Sequence, residues 1–335
     1  MSESEFSAVV ERAGSVAGES GLVFVAPHAE APFERVLPFL RPDAPLDAVR
    51  AYVEDWHDLG SGEALDAALA TCGARGFGPV VPRGLLDLNR GRARPEAQET
   101  LFGKGPISSA MREWLAEGSD ARLESARLAA MAELSAATRS ARALVELHSY
   151  GDLGSSYDRD AGGRPVRRPE ACVVTATPWA TPRPVGLARL IPGDLACAPW
   201  RAQRVVLDAL DAAGFAVGPH PYPQQGPWAL SARFVAARWF RWLGSTGRLP
   251  VATAAILAEL AWLDEQAIAI GALEALPGVG EVARLTGEWS HAAGDLAAEF
   301  TASQSGMGLT VELRVDKQAR APALGEAVAR ALVSL

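Results

Sequence analysis

Two of the five histidines in this 335-residue chain follow short apolar runs. Leu22-Val23-Phe24-Val25 leads through Ala26-Pro27 to His28, and Ala143 to Leu147 leads to His148-Ser149-Tyr150. An imidazole delivered at the end of a buried strand can ligate a metal or act as a general base. Taken singly, each reads better as an internal histidine satisfied by a carbonyl. Other residues of the right chemistry stand near other predicted segment ends. Glu54, Asp55, His57 and Asp58 crowd five positions, denser than the helix capping that Asp58 alone would serve. Asn89-Arg90 pairs an amide with a planar guanidinium suited to a carboxylate. Glu312 lies in the alternating run Gly308 to Val315. Two imidazoles and one carboxylate make the three-ligand set of a catalytic zinc site, whose fourth position is left to water. A separate glutamate can take a proton from that water and pass it to a leaving amine.

These residues act together only if the chain folds so that strand ends converge, as they do outside the carboxyl ends of the strands in an open α/β sheet. The pattern predicts strands over residues 21–28, 143–150, 171–176 and 308–315, with strand-like segments at 79–81 and 85–90 and a short one at 215–218. Pro27 cannot donate to a ladder, so the first of these ends at or before His28. Helices are expected over 5–17, from near Ser61, over 122–143, 200–213, 229–244, 250–275, 280–300 and 321–335. Residues 91–118, 151–170 and His220 to Gly226 read as loops. The alternation of strands and helices is that of a largely parallel sheet. With no internal repeat and no clear linker, residues 1–335 read as a single α/β domain with a helical elaboration at about 229–300.

Composition narrows the function classes. Hydrophobic residues make up 49% and charged residues 21% of the chain, enough for a sizeable core. A net charge of −8 leaves no excess of cations for a broad nucleic-acid or anionic-membrane surface. Cys72, Cys172 and Cys197 form no CxxC pair and predict no disulfide scaffold. The acidic start Met1-Ser2-Glu3-Ser4-Glu5 lacks the features of a secretion signal. The apolar stretch Val251 to Ala275 is broken by Glu259, Asp264, Glu265 and Glu274, so it reads as a helix rather than a membrane span. A cytoplasmic protein is the expectation.

Four strings occur in an order that resembles the N-formylglutamate amidohydrolase family: Val25-Ala26-Pro27-His28-Ala29, Asp55-Trp56-His57, Asp87-Leu88-Asn89-Arg90 and Glu146-Leu147-His148-Ser149. A fifth, Val311-Glu312-Leu313-Arg314, is similar to the segment that supplies the catalytic glutamate of that family and of its relatives, the zinc carboxypeptidases and aspartoacylase-like deacylases. The resemblance covers residues 20 to 150 and, beyond them, Glu312 and Pro221-Tyr222. It implies a three-layer α/β/α fold with a mixed, mostly parallel sheet, zinc-carboxypeptidase-like, with extra C-terminal helices. It implies Zn2+ held by His28, His148 and Asp55, with Glu30, His57 and Asp58 competing for the third place. Asn89 and Arg90 then hold a substrate carboxylate, His57 is a further substrate contact, and Glu312 and Arg90 are catalytic. The implied reaction is hydrolysis of an amide bond beside a free carboxylate, in an N-acyl amino acid or short peptide. A catalytically silent binding or regulatory module, or a carboxypeptidase acting on a peptide natural product, are the alternatives. The sequence departs from the family at Glu30, usually glycine, and lacks a Tyr-His pair around Glu124 to Leu128. It carries Pro223 to Trp228 in place of a Gly-Gly and arginine segment. These departures fall on substrate-shaping elements more than on the metal set.

Overall fold

The computed structural model describes residues 7–12, 21–90, 105–153, 159–174, 179, 186–218, 229–263, 270–287, 291–303 and 306–335. The first half of the chain runs β1 (Val9–Arg12), β2 (Leu22–Val25), α1 (Leu46–Glu54), α2 (Ser61–Cys72), β3 (Arg75–Pro79), α3 (Ser109–Arg112), α4 (Ser119–Thr138) and β4 (Ala143–Tyr150). The second half runs β5 (Ala171–Val173), α5 (Trp200–Ala212), α6 (Leu230–Ser245), α7 (Val251–Trp262), α8 (Ile270–Glu274), α9 (Val279–Thr286) and α10 (His291–Ala302). It closes with β6 (Met307–Arg314) and α11 (Ala321–Val333).

The six strands form one sheet in the order β1-β3-β2-β4-β6-β5. The four inner strands are parallel, and β1 and β5 pair antiparallel to the edges. Parallel strands are buried on both faces and read as continuous apolar runs, the pattern that β2 and β4 carry. On one face, Leu22, Phe24, Val145, Leu147, Leu309 and Val311 pack against Leu65 of α2, Val206 of α5 and Leu324 of α11. On the other, Val23, Val25 and Leu144 share a core with Leu134 of α4, Phe234 and Trp239 of α6, and Leu257 of α7. The result is a mixed three-layer α/β/α fold in which α6 to α10 add helices near the C-terminal end.

Two close approaches depend on glycine. A Cβ on Gly325 would lie 2.0 Å from the Ala64 carbonyl oxygen, so α11 and α2 touch backbone to backbone. A Cβ on Gly308 would lie 2.4 Å from the Ser231 carbonyl oxygen, so the first turn of α6 rests directly on β6.

Residues 9–12 are a strand, not part of the expected lead-in helix. Val9 and Val10 favour extended backbone, and they pair with Pro79 and Gly78 of β3. The segment 85–90 is a series of turns rather than a strand. Leu85, Leu86 and Leu88 are buried, but the ladder is made earlier, by Arg75–Pro79. β3 carries Gly76 and Gly78, whose missing side chains admit Leu69 of α2 and Arg12 of β1 and erase the alternating pattern by which strands are read. Residues 215–218 contribute one isolated bridge, Ala171 to Val217. His220 to Gly226 and Pro223 to Trp228 lie outside the described residues. Cys72, Cys172 and Cys197 are free thiols. No helix among the described residues is long and apolar enough to cross a membrane.

Candidate functional site

Side chains alternate along a strand, so Leu144, Glu146 and His148 of β4 face the α4/α6 side. Register sets Thr310 and Glu312 of β6 beside Glu146 and His148. β2 ends at Val25, the Ala26 amide donates to the Phe77 carbonyl, and His28 follows three residues past the strand end. The Asp58 amide donates to the His28 carbonyl at 2.9 Å, which draws the α1–α2 connection over the sheet edge. The two imidazoles meet edge to face with centroids 4.7 Å apart.

Asp58 is the hub. Its Oδ2 lies 2.7 Å from His148 Nδ1 and 3.3 Å from His28 Nδ1, and its Oδ1 accepts from Arg83 Nη1 at 3.1 Å. His28, Asp58 and His148 are all buried and offer ligand atoms within 4.8 Å of one another. The far nitrogen of each imidazole meets a second carboxylate. His28 Nε2 is 2.8 Å from Asp87 Oδ1, and His148 Nε2 is 3.1 Å from Glu146 Oε2. Arg83 ties the arrangement together by donating from Nε to Asp87 Oδ2 at 3.2 Å. Its guanidinium also lies 5.4 Å from the Trp56 ring centroid.

The electrostatics are those of a buried charge cluster. Burial opposes ionisation of Asp58, yet His28, Arg83 and His148 hold its carboxyl well below the usual range. Burial likewise opposes ionisation of Asp87, and His28, Arg83 and Arg90 outweigh it. Burial disfavours a charged His148, but hydrogen bonds to Asp58 and Glu146 raise it to about 10. Glu312 goes the other way: burial raises it to about 7, with the nearby Asp58 and Glu146 carboxylates adding to the rise and His148 and Arg83 opposing it.

The donor set fits a divalent cation. Two imidazole Nδ1 atoms face one carboxylate oxygen, at 2.7 Å and 3.3 Å. With His148 giving up its extra proton to ligate, Asp58, Asp87, Glu146 and Glu312 as four carboxylates face the two guanidiniums of Arg83 and Arg90, a deficit that a divalent ion would cancel.

The structure brings His28, His148 and Asp58 together, and it leaves Asp55 outside. Asp55 caps the C-terminus of α1, and both it and Glu30 are exposed. The turn after α1 points Asp58, three residues later, inward. His57 is half-buried; burial lowers its pKa, and its Nε2 has no partner among the described residues. Arg90 stands at the rim, with a third of its side chain exposed, bonding its neighbour's carbonyl through Nη1 and lying 3.7 Å from Asp87 Oδ2. Asn89 is buried against Glu146 and His148. Sequence reasoning missed two participants, Arg83 and the ligand-facing role of Asp87. The one available signal was spacing, since Arg83 stands one helical turn's length before Asp87 in an otherwise apolar stretch.

No family model matches the sequence, and comparison with curated proteins finds no match. Among solved structures the chain is similar to an N-formylglutamate amidohydrolase from Ralstonia eutropha JMP134, at 13% identity and a TM-score of 0.51. That match covers 98% of this chain and 97% of the other. A gene product from Agrobacterium tumefaciens matches at 17% identity and a TM-score of 0.46, over 100% and 98% of the two chains. Over nearly its whole length, this chain shares the fold of an N-formylglutamate amidohydrolase.

Proposed function

We propose that the protein is a zinc-dependent hydrolase that cleaves an amide bond beside a free carboxylate, in an N-acyl amino acid or short peptide. The observation that carries the reading is the convergence of His28, Asp58 and His148 beside Glu312. His28, Asp58 and His148 would hold the ion. When bound there, a divalent ion supplies Lewis acidity toward the scissile carbonyl and toward water.

The remaining work falls to the chain's own groups. Glu312, raised to about 7, is poised to exchange a proton near neutral pH. Its carboxylate takes the proton of the attacking water and returns it to the leaving nitrogen. Arg90, half-buried at the rim and only loosely paired with Asp87 at 3.7 Å, is placed to take the substrate carboxylate through its planar fork. Arg83 spends Nε and Nη1 on Asp87 and Asp58, leaving Nη2 as a donor toward charge developing on the carbonyl oxygen.

The experiment is a screen of N-acyl amino acids and short peptides with zinc-loaded protein, repeated after chelation and with Glu312→Gln. Metal-dependent release of a free amino acid that disappears in the variant is the expected result. Turnover unaffected by chelation, or by Glu312→Gln, would contradict the mechanism.

A further inference from the structure

We propose that Glu146 and Asn89 are positioning residues for the ligand His148, and that Asn89 serves this support rather than a substrate-carboxylate clamp. The assignment rests on the metal-hydrolase reading above. It comes from where every polar atom of the two side chains goes.

Glu146 is completely buried in β4, two residues before His148 and on the same face of the strand. Its Oε2 accepts from Asn89 Nδ2 at 2.7 Å and lies 3.1 Å from His148 Nε2. Its Oε1 accepts from the Ser231 amide at 2.5 Å and from Thr310 Oγ1 at 3.4 Å. A carboxylate only accepts, so the proton on the Glu146–His148 bond sits on Nε2. Nδ1, now hydrogen-bonded to Asp58, would give up its own proton to an ion seated between Asp58 and His28, while Nε2 keeps its proton on Glu146. A ligating histidine fixed in this way by a carboxylate is a stronger and better-aimed donor.

Asn89 completes the support. It is 7% exposed, its amide nitrogen is bound to Glu146, and its Oδ1 accepts from the Leu230 amide at 3.3 Å. The acceptor of the side chain and one of its two N–H groups are thus committed inside the protein. The pair joins four pieces of chain: the 85–90 turns, β4, β6 and the first turn of α6. Since Gly308 lets α6 sit on β6, the Ser231 amide reaches Glu146 only because of that close contact. Arg90, next in sequence and facing outward, is left as the carboxylate contact.

The test uses the full chain and zinc as the probe. Zinc affinity is measured by chelator competition for wild type, Glu146→Gln, Asn89→Ala and Arg90→Ala, with circular dichroism to verify folding. The His148 Nε2 proton resonance is recorded in the zinc-loaded proteins. Glu146→Gln should weaken zinc binding by about 10- to 100-fold and displace or abolish that resonance. Asn89→Ala should weaken zinc binding in the same direction, and only Glu146→Gln and Asn89→Ala, not Arg90→Ala, should move the His148 Nε2 resonance. If Glu146→Gln fails to fold, Asn89→Ala decides. Wild-type affinity and an unmoved resonance in the folded variants would overturn the assignment while leaving the metal reading in place. A wild-type chain that binds no zinc would overturn both.

Discussion

Asp58 accepts from both imidazoles and from Arg83, while Asp55, three residues earlier, ends a helix in solvent. One turn of backbone separates a carboxylate that faces both imidazoles from one that faces solvent, and composition does not register it. The histidines were legible because each follows a short apolar run of the kind that forms a buried strand. The carboxylate was not, because Asp55, His57 and Asp58 are chemically interchangeable until the α1–α2 turn is known. Glu312 and Arg90 stand outside the ligand set, which separates their effects. Glu312→Gln should retain the metal and lower turnover by about 10²- to 10⁴-fold, the usual contribution of a general acid–base. Arg90→Ala should act mainly on KM. Losing a charge-assisted hydrogen bond is worth about 1.5–3 kcal/mol, or roughly a 10- to 100-fold rise in KM. Steady-state kinetics on a substrate found by the screen reads both. An unchanged KM in Arg90→Ala would place the substrate carboxylate elsewhere.

The elements divide the same way. β4 and β6 were legible from their length and pattern, and they carry His148, Glu146 and Glu312 in register. β3 was hidden by Gly76 and Gly78, and the buried leucines of 85–90 imitated a strand because burial, not extension, selects leucine. The glycine contacts give a prediction at this scale. Gly325→Ala forces a Cβ against the Ala64 carbonyl and should cost about 1–3 kcal/mol of stability, as overpacking does. The α2–α11 contact is on the sheet face opposite the site, so zinc affinity in the folded variant should not change. Gly308→Ala pushes on the Ser231 backbone and should lower both stability and zinc affinity. Urea unfolding with a parallel chelator titration separates the two. Equal effects on zinc affinity would mean that the α6 contact does not reach the site.

Across the whole molecule, burial at the sheet's centre falls hardest on Glu312, and the neighbouring Asp58 and Glu146 carboxylates add to it. Its pKa is raised from 4.5 to about 7, so between those values the folded chain holds a proton that the unfolded chain has released. Stability of the metal-free protein therefore falls as pH rises through that window, by a contribution on the order of 3 kcal/mol. Glu312→Gln removes this loss, so the variant should gain on wild type between pH 5 and pH 8 in urea unfolding of the metal-free proteins. A constant difference would show that Glu312 titrates as an ordinary carboxylate. The layer architecture was legible in the strand–helix rhythm. The convergence of Asp58, Asp87 and Arg83 was not, because it depends on turns whose residues carry no periodic signal.

The most direct test of the central claim is the metal content of the purified protein after zinc loading and desalting, compared between Asp58→Ala and Asp55→Ala. We expect one zinc per chain in wild type and in Asp55→Ala, and none retained in Asp58→Ala. Wild type without stoichiometric zinc, or Asp58→Ala retaining it, would contradict the account.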